Sequence, residues 1–203
     1  MTMTQVFLNY RAADEPFGVA MLDQELSRRF SPEAVFLASK SILPGTDWEK
    51  AMFDAVRASS AVLAVMGRNW LDARDDRGRR RLDDPTDTVR REILLALSLG
   101  KPVIPVRLGV PRFTRAELVG PLAELFERQD VEVRFRNHQV DVDHLAHKLR
   151  ELIPGLPNPL AARRAEVSFS VDGHAGSVVQ AERIDVQGGF HAGPAINFGR
   201  GDS

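Results

Sequence analysis

With 203 residues, a formal charge of -1 and 43% hydrophobic residues, the chain holds one domain of ordinary size and an appendage. The balanced charge gives no electrostatic case for nucleic acid, and no apolar run is long enough to cross a bilayer. The absence of cysteine excludes disulfides, thiolate nucleophiles and thiolate metal sites. The opening MTMTQVFLNYR lacks the basic and long apolar regions of a signal peptide, so a cytoplasmic location without a membrane partner is expected.

In chain order, residues 5–9 form a short apolar strand that ends in Tyr10-Arg11 and a polar loop, AADEP. Residues 17–30 place Val19, Leu22, Leu26 and Phe30 on one helical face. Residues 34–37 are a second strand, followed by a loop with Pro44 and Gly45 as turn residues. Asp47 is placed to cap the next helix, whose inner face is expected to carry Trp48, Met52, Ala55 and Val56. Residues 60–66 are a continuous apolar strand of the kind buried on both sides of a parallel sheet. Ten of the thirteen residues from 72 to 84 are charged, which predicts a solvated surface loop. There Arg79, Arg80 and Arg81 are offset by Asp75, Asp76, Asp83 and Asp84.

The next stretch reads as a capped helix, a glycine stop and a buried strand. Asp87 or Thr88 can cap the helix, Val89, Ile93, Ala96 and Leu97 recur at helical spacing, and Gly100 is expected as a left-handed C-cap before a strand over 103–108. Glu92 interrupts an apolar stripe with Leu95, Ala96 and Leu99. On chemistry alone, an acid near a helix start that complements the dipole is the plainer account of it. The alternative is functional, because helix N-termini in an open strand-helix-strand sheet lie at the carboxyl edge, where such folds bind ligands. A helical stretch over 115–128, a fifth strand over 131–135 and a closing helix over 142–152 complete the pattern. Five strands alternating with helices predict a three-layer α/β domain with a parallel sheet over residues 1–153. PGLPNP then opens a proline-rich hinge, 154–160, before a glycine-rich, β-prone tail, 161–203.

Four motifs in this order resemble the Toll/interleukin-1 receptor, or TIR, domain family: VFLNYR, VFLASKSILPGTDWEKAM, AVLAVMGRNW and TDTVRREILLALSLGKPVIPV, the last especially like bacterial members. The resemblance implies a five-stranded parallel sheet in flavodoxin-like order. It also implies cleavage of the nicotinamide-ribose bond of NAD+ as substrate, with no cofactor and no metal, and with Glu92 as the catalytic carboxylate. A carboxylate beside the ribose suits that reaction, because the bond breaks through an oxocarbenium-like sugar and nicotinamide leaves as a neutral base. Trp48, just after the family's BB loop (39–47, with Leu43 among its contacts), corresponds to an aromatic that stacks on the pyridinium. Its alternative is a core tryptophan. Tyr10 and Arg11 are expected on the adenosine or phosphate side, and Trp70 at the same edge or in the core. Ala38 and Ser39 stand where many members have an acidic residue.

The tail segment SVVQAERIDVQGGFHAG resembles the glycine-glutamine β-motifs of bacterial immune and signalling proteins that assemble in amyloid-like fashion. His174 and His191 lack a supporting acid at ligand spacing. The expected function is thus an NAD+ glycohydrolase activated by self-association, in bacterial immune signalling. The competing function is a non-catalytic TIR adaptor whose BB loop and tail only make protein contacts. A nucleotide receiver or transferase is disfavoured, since no glycine-rich phosphate loop follows the first strand.

Overall fold

Apolar runs at five places in the chain pair side by side in the computed structural model, which describes residues 6–114, 117–118 and 120–156. The strands β1 (Val6–Asn9), β2 (Val35–Phe36), β3 (Ala61–Met66), β4 (Val103–Leu108) and β5 (Val131–Val133) form one sheet in the order β2-β1-β3-β4-β5. Every pairing is parallel, as strand-helix-strand connections require. The register runs Val6↔Val35 and Val6↔Ala61 around β1, Val62↔Val103 between β3 and β4, and Val106↔Val131 between β4 and β5. Pairing of β4 with β5 begins only after Pro105, which has no N–H to give the ladder.

The helices are α1 (Pro16–Arg29), the single turn α2 (Ala38–Ser41), α3 (Trp48–Ala58), α4 (Thr88–Ser98) and α5 (His138–Leu152). Strand side chains alternate between the two faces. Val6, Leu8, Leu63 and Val65 pack with Leu22 and Leu26 of α1 and Leu145 and Leu149 of α5. Phe7, Val62, Ala64 and Met66 pack with Met52 and Val56 of α3 and Val89, Ile93 and Ala96 of α4. Phe7 and Phe36 stack with ring centres 5.1 Å apart, closing the second layer at the β2 edge. The result is the three-layer α/β arrangement that the alternation of strands and helices predicts.

Caps set the helix ends where the sequence places them. Asp47 accepts from the Lys50 N–H at 3.1 Å and Asp87 from the Arg90 N–H at 3.0 Å. Gly100, at φ 66°, ends α4 in a Schellman motif, with Gly100 N–H on the Leu97 carbonyl and Lys101 N–H on that of Ala96.

Several expectations are refined by the structure. The described part of the stretch expected to be helical over 115–128 is 3-10 helix, Gly120–Glu127, which buries Leu122 and Leu125. The strand expected over 131–135 stops at Val133, because Arg134 turns to pair with Asp141 and Phe135 opens a 3-10 turn leading into α5, which starts at His138. The charged segment 71–84 is the mostly exposed surface loop that its composition predicts, with Arg74 and Arg80 bridging across a turn at Gly78 and Leu82 anchoring it in the core. On α3, Met52 and Val56 are buried, whereas Trp48 is half-exposed. Leu156, inside the expected hinge, packs in the core with Ile153. The expected tail, 161–203, lies outside the described residues. Among the described residues, no helix is long and apolar enough to cross a membrane.

Candidate active site

The carboxyl end of β1 meets the first turns of α4, and Glu92 lies at this junction. Asp87 is the N-cap, so Glu92 falls beyond the first turn of α4. It is only 2% exposed, on the inward face with Val89, Ile93 and Ala96. Of its expected stripe, Ala96 is buried, Leu95 partly so, and Leu99 is half-exposed beyond the sheet. An exposed first-turn acid serving the dipole is therefore not what the helix carries.

Two ties join this turn to the end of β1. The Asn9 side-chain amide donates to Glu92 Oε2 at 2.7 Å and to the Val89 carbonyl at 3.1 Å. The Arg11 guanidinium donates to both oxygens of Asp87, at 2.9 and 3.1 Å, in a buried fork. Glu92 Oε1 has no hydrogen-bond partner among the described residues. Burial pushes the Glu92 carboxyl up from its ordinary 4.5 to about 8. The Asn9 amide opposes that rise, Asp87 adds to it and Arg91 counters it.

In front of Glu92 is a cleft of about 820 Å³, within the size range of small-molecule sites. One wall is Tyr10 and Arg11, and the other is the segment from Ala38 through Leu43 to Trp48. The rim carries Asp75, Arg81 and Asp84. The wall's shape follows from its residues. Leu43-Pro44-Gly45-Thr46 is a turn closed by Thr46 N–H on the Leu43 carbonyl, with proline second and Gly45 at φ 82°, a conformation that suits glycine. That turn holds Leu43 out, 75% exposed. Trp48 begins α3 directly after it and is 49% exposed, an aromatic surface on the cleft.

The structure thus brings Tyr10, Arg11, Leu43, Trp48 and Glu92 to one cleft and places Trp70 elsewhere. Trp70 is fully buried, stacked on Phe113 with ring centres 5.8 Å apart, because the turn after β3 directs it under the charged loop. Arg11 borders the cleft with its fork already filled by Asp87, which leaves Arg81 as the lining cation without a carboxylate partner among the described residues. Sequence reasoning missed Asn9, which resembles any strand-ending polar residue. The one signal was its position, two residues before Arg11 and at the edge that α4 covers. Among the described residues, no group of three His, Asp or Glu side chains is placed to hold a metal ion.

A family model described as TIR domain matches residues 6–152. Among solved structures, the chain is similar to the TIR domain of the Toll-related receptor TRR-2 from Hydra magnipapillata, at 16% identity over 73% of this chain and 99% of that one, with a TM-score of 0.46. It is also similar to a metazoan TIR-STING receptor from C. gigas in complex with 2',3'-cGAMP, at 17% identity over 72% of this chain and 41% of that one, with a TM-score of 0.48. No curated protein matches the chain.

Proposed function

The chain belongs to the TIR domain family, and from that premise we propose that it is a signalling NAD+ glycohydrolase of bacterial type, acting in the cytoplasm in anti-phage immunity and activated by self-association. The observation that carries the proposal is the buried carboxyl of Glu92 at the foot of a cleft with an aromatic wall. A carboxyl whose proton leaves only near pH 8 is a poor anion on its own at neutral pH. A ligand that brings a positive charge against it favours the ionised form. The nicotinamide ring of NAD+ is such a charge, and Trp48 offers it a face.

In the reaction, the bond between the ribose C1' and the pyridinium nitrogen breaks and its electron pair stays on nitrogen, so nicotinamide leaves neutral. Positive charge moves onto the ribose ring, where the Glu92 carboxylate stabilises it and holds a ribose hydroxyl. Water adds at C1' and releases a proton, giving ADP-ribose. An internal nucleophile at the same carbon would give a cyclised product. Glu92 requires no metal in this role.

The adaptor function has one observation in its favour, the exposed Leu43 at the loop tip, which suits a protein contact. Release of nicotinamide from NAD+ by the concentrated protein separates the two. The glycohydrolase releases it, with kcat/KM rising with pH, half-maximal near the Glu92 value of about 8 and level above it. An adaptor leaves NAD+ intact at every concentration.

A further inference from the structure

Asn9 occupies a position that packing alone would give to an apolar residue. It is fully buried at the end of β1, after Val6, Phe7 and Leu8, and its Oδ1 has no partner among the described residues. Leaving a buried amide oxygen unpaired is unfavourable, so the residue needs a compensating role. The orientation of the amide supplies one. The two atoms facing it, Glu92 Oε2 and the Val89 carbonyl, are both acceptors in the ionised state, so the nitrogen and not the oxygen must point at them. The backbone bond fixes the amide against α4, and the fixed amide then fixes the carboxylate.

We infer that Asn9 is a positioning residue for Glu92, holding Oε2 so that the carboxylate keeps one orientation and Oε1 is the oxygen left for the ligand. The inference rests on the proposed reaction only for the identity of that ligand. A donor on Oε2 also favours the ionised carboxylate and opposes the rise that burial imposes. The other charged groups around Glu92 are Asp87 and Arg91 on its own helix, Arg11 from the end of β1, and Asp75, Arg81 and Asp84 along the cleft. None of them makes a direct hydrogen bond to the Glu92 carboxyl, so among the described residues Asn9 is its one hydrogen-bond donor, and the only other bond lost with that amide is the one to the Val89 carbonyl.

The test is the side-chain carboxyl titration of Glu92, followed by carbon NMR in the full chain, in wild type and in Asn9→Leu, which keeps the volume and deletes the donor. The expected result is a midpoint moved to higher pH by about one unit, with nicotinamide release slowed about ten-fold at a KM close to wild type. A midpoint that does not move while the melting temperature falls overturns the inference and leaves Asn9 as a packing residue. If Asn9→Leu does not fold, Asn9→Asp keeps the shape without the amide donor. Two adjacent carboxyls should then titrate in separate steps, the later one above the wild-type midpoint, and overlapping titrations at the wild-type value overturn it. The NMR reading does not depend on turnover. A shifted midpoint in a protein that never releases nicotinamide would therefore sink the proposed activity and leave the positioning role standing.

Discussion

At the scale of the residue, Glu92 is a stability problem that the fold tolerates. Because burial raises its pKa to about 8, the folded state holds the proton more tightly than the unfolded chain. Its stabilising contribution is complete below the ordinary 4.5 and is lost as pH rises through about 8, at about 1.4 kcal/mol per pH unit in between. Glutamine at the same position has no proton to lose. The melting temperature of Glu92→Gln relative to wild type should therefore climb by about 7–15 °C between about pH 5 and pH 8, and level off above that. Thermal melts across the range check it, and a gap independent of pH would show that the carboxyl is not buried as described. A side chain that costs stability where a neutral one would not is the mark of a site kept for its chemistry. Glu92 stood out in the sequence as a charge in an apolar helical face, although spacing alone left an acid serving the helix dipole as its plainer account. Its partner did not, since Asn9 is 83 residues away and the hydrogen bond exists only once β1 and α4 are adjacent. Arg11 was found as a residue but its contact was not, for the same reason. Its partner Asp87 is 76 residues away and was already identified as a cap.

At the scale of the element, the loops after β1 and β3 are held together by one side chain. Asp14 accepts from the backbone N–H groups of Gly67 and Asn69, at 2.7 and 2.6 Å. Gly67 has no room for more than hydrogen: an added Cβ would lie 2.2 Å from Glu15 Cγ and 2.9 Å from Asp14 Cγ. Gly67→Ala should push the Asp14 carboxylate off both N–H groups and destabilise the domain by about 1–3 kcal/mol. Urea unfolding measures this, and a midpoint equal to wild type would contradict the crowding. The elements themselves were largely readable. Caps at Asp47 and Asp87, the stop at Gly100 and the apolar runs of β1, β3 and β4 are local signals, and each lies where its chemistry predicts. The segment around 115–128 was misread because its apolar residues recur at spacings that an α-helix and a 3-10 helix share. β5 was drawn too long because Phe135 looks like a strand residue, whereas the Arg134–Asp141 pair redirects the chain. Trp48 and Trp70 could not be told apart by sequence, as each follows a turn whose direction only the fold decides.

At the scale of the whole molecule, the proposed catalysis lies in the described domain and the expected assembly in the residues after it. The domain boundary for a truncation should fall after Leu156, whose side chain packs in the core. A chain ended there is expected to melt cooperatively close to the full-length temperature. It should also require a higher protein concentration, or a crowding agent, to release nicotinamide, since the tail's Val-Gln and Gln-Gly-Gly units suit stacking of identical strands. Specific activity against concentration for both chains, with light scattering alongside, checks this. Superimposable curves and equal particle sizes would remove the tail from assembly.

The most direct measurement for the central claim is the rate of nicotinamide release from NAD+ by wild type and by Glu92→Gln, at equal concentration and about pH 8, with both shown to be folded by their melts. Replacing the carboxylate keeps volume and hydrogen bonding while deleting the charge that the oxocarbenium-like sugar requires. The rate is predicted to fall by about two to three orders of magnitude. Equal rates would contradict the assignment of Glu92, and no release by wild type at any concentration would contradict the activity itself.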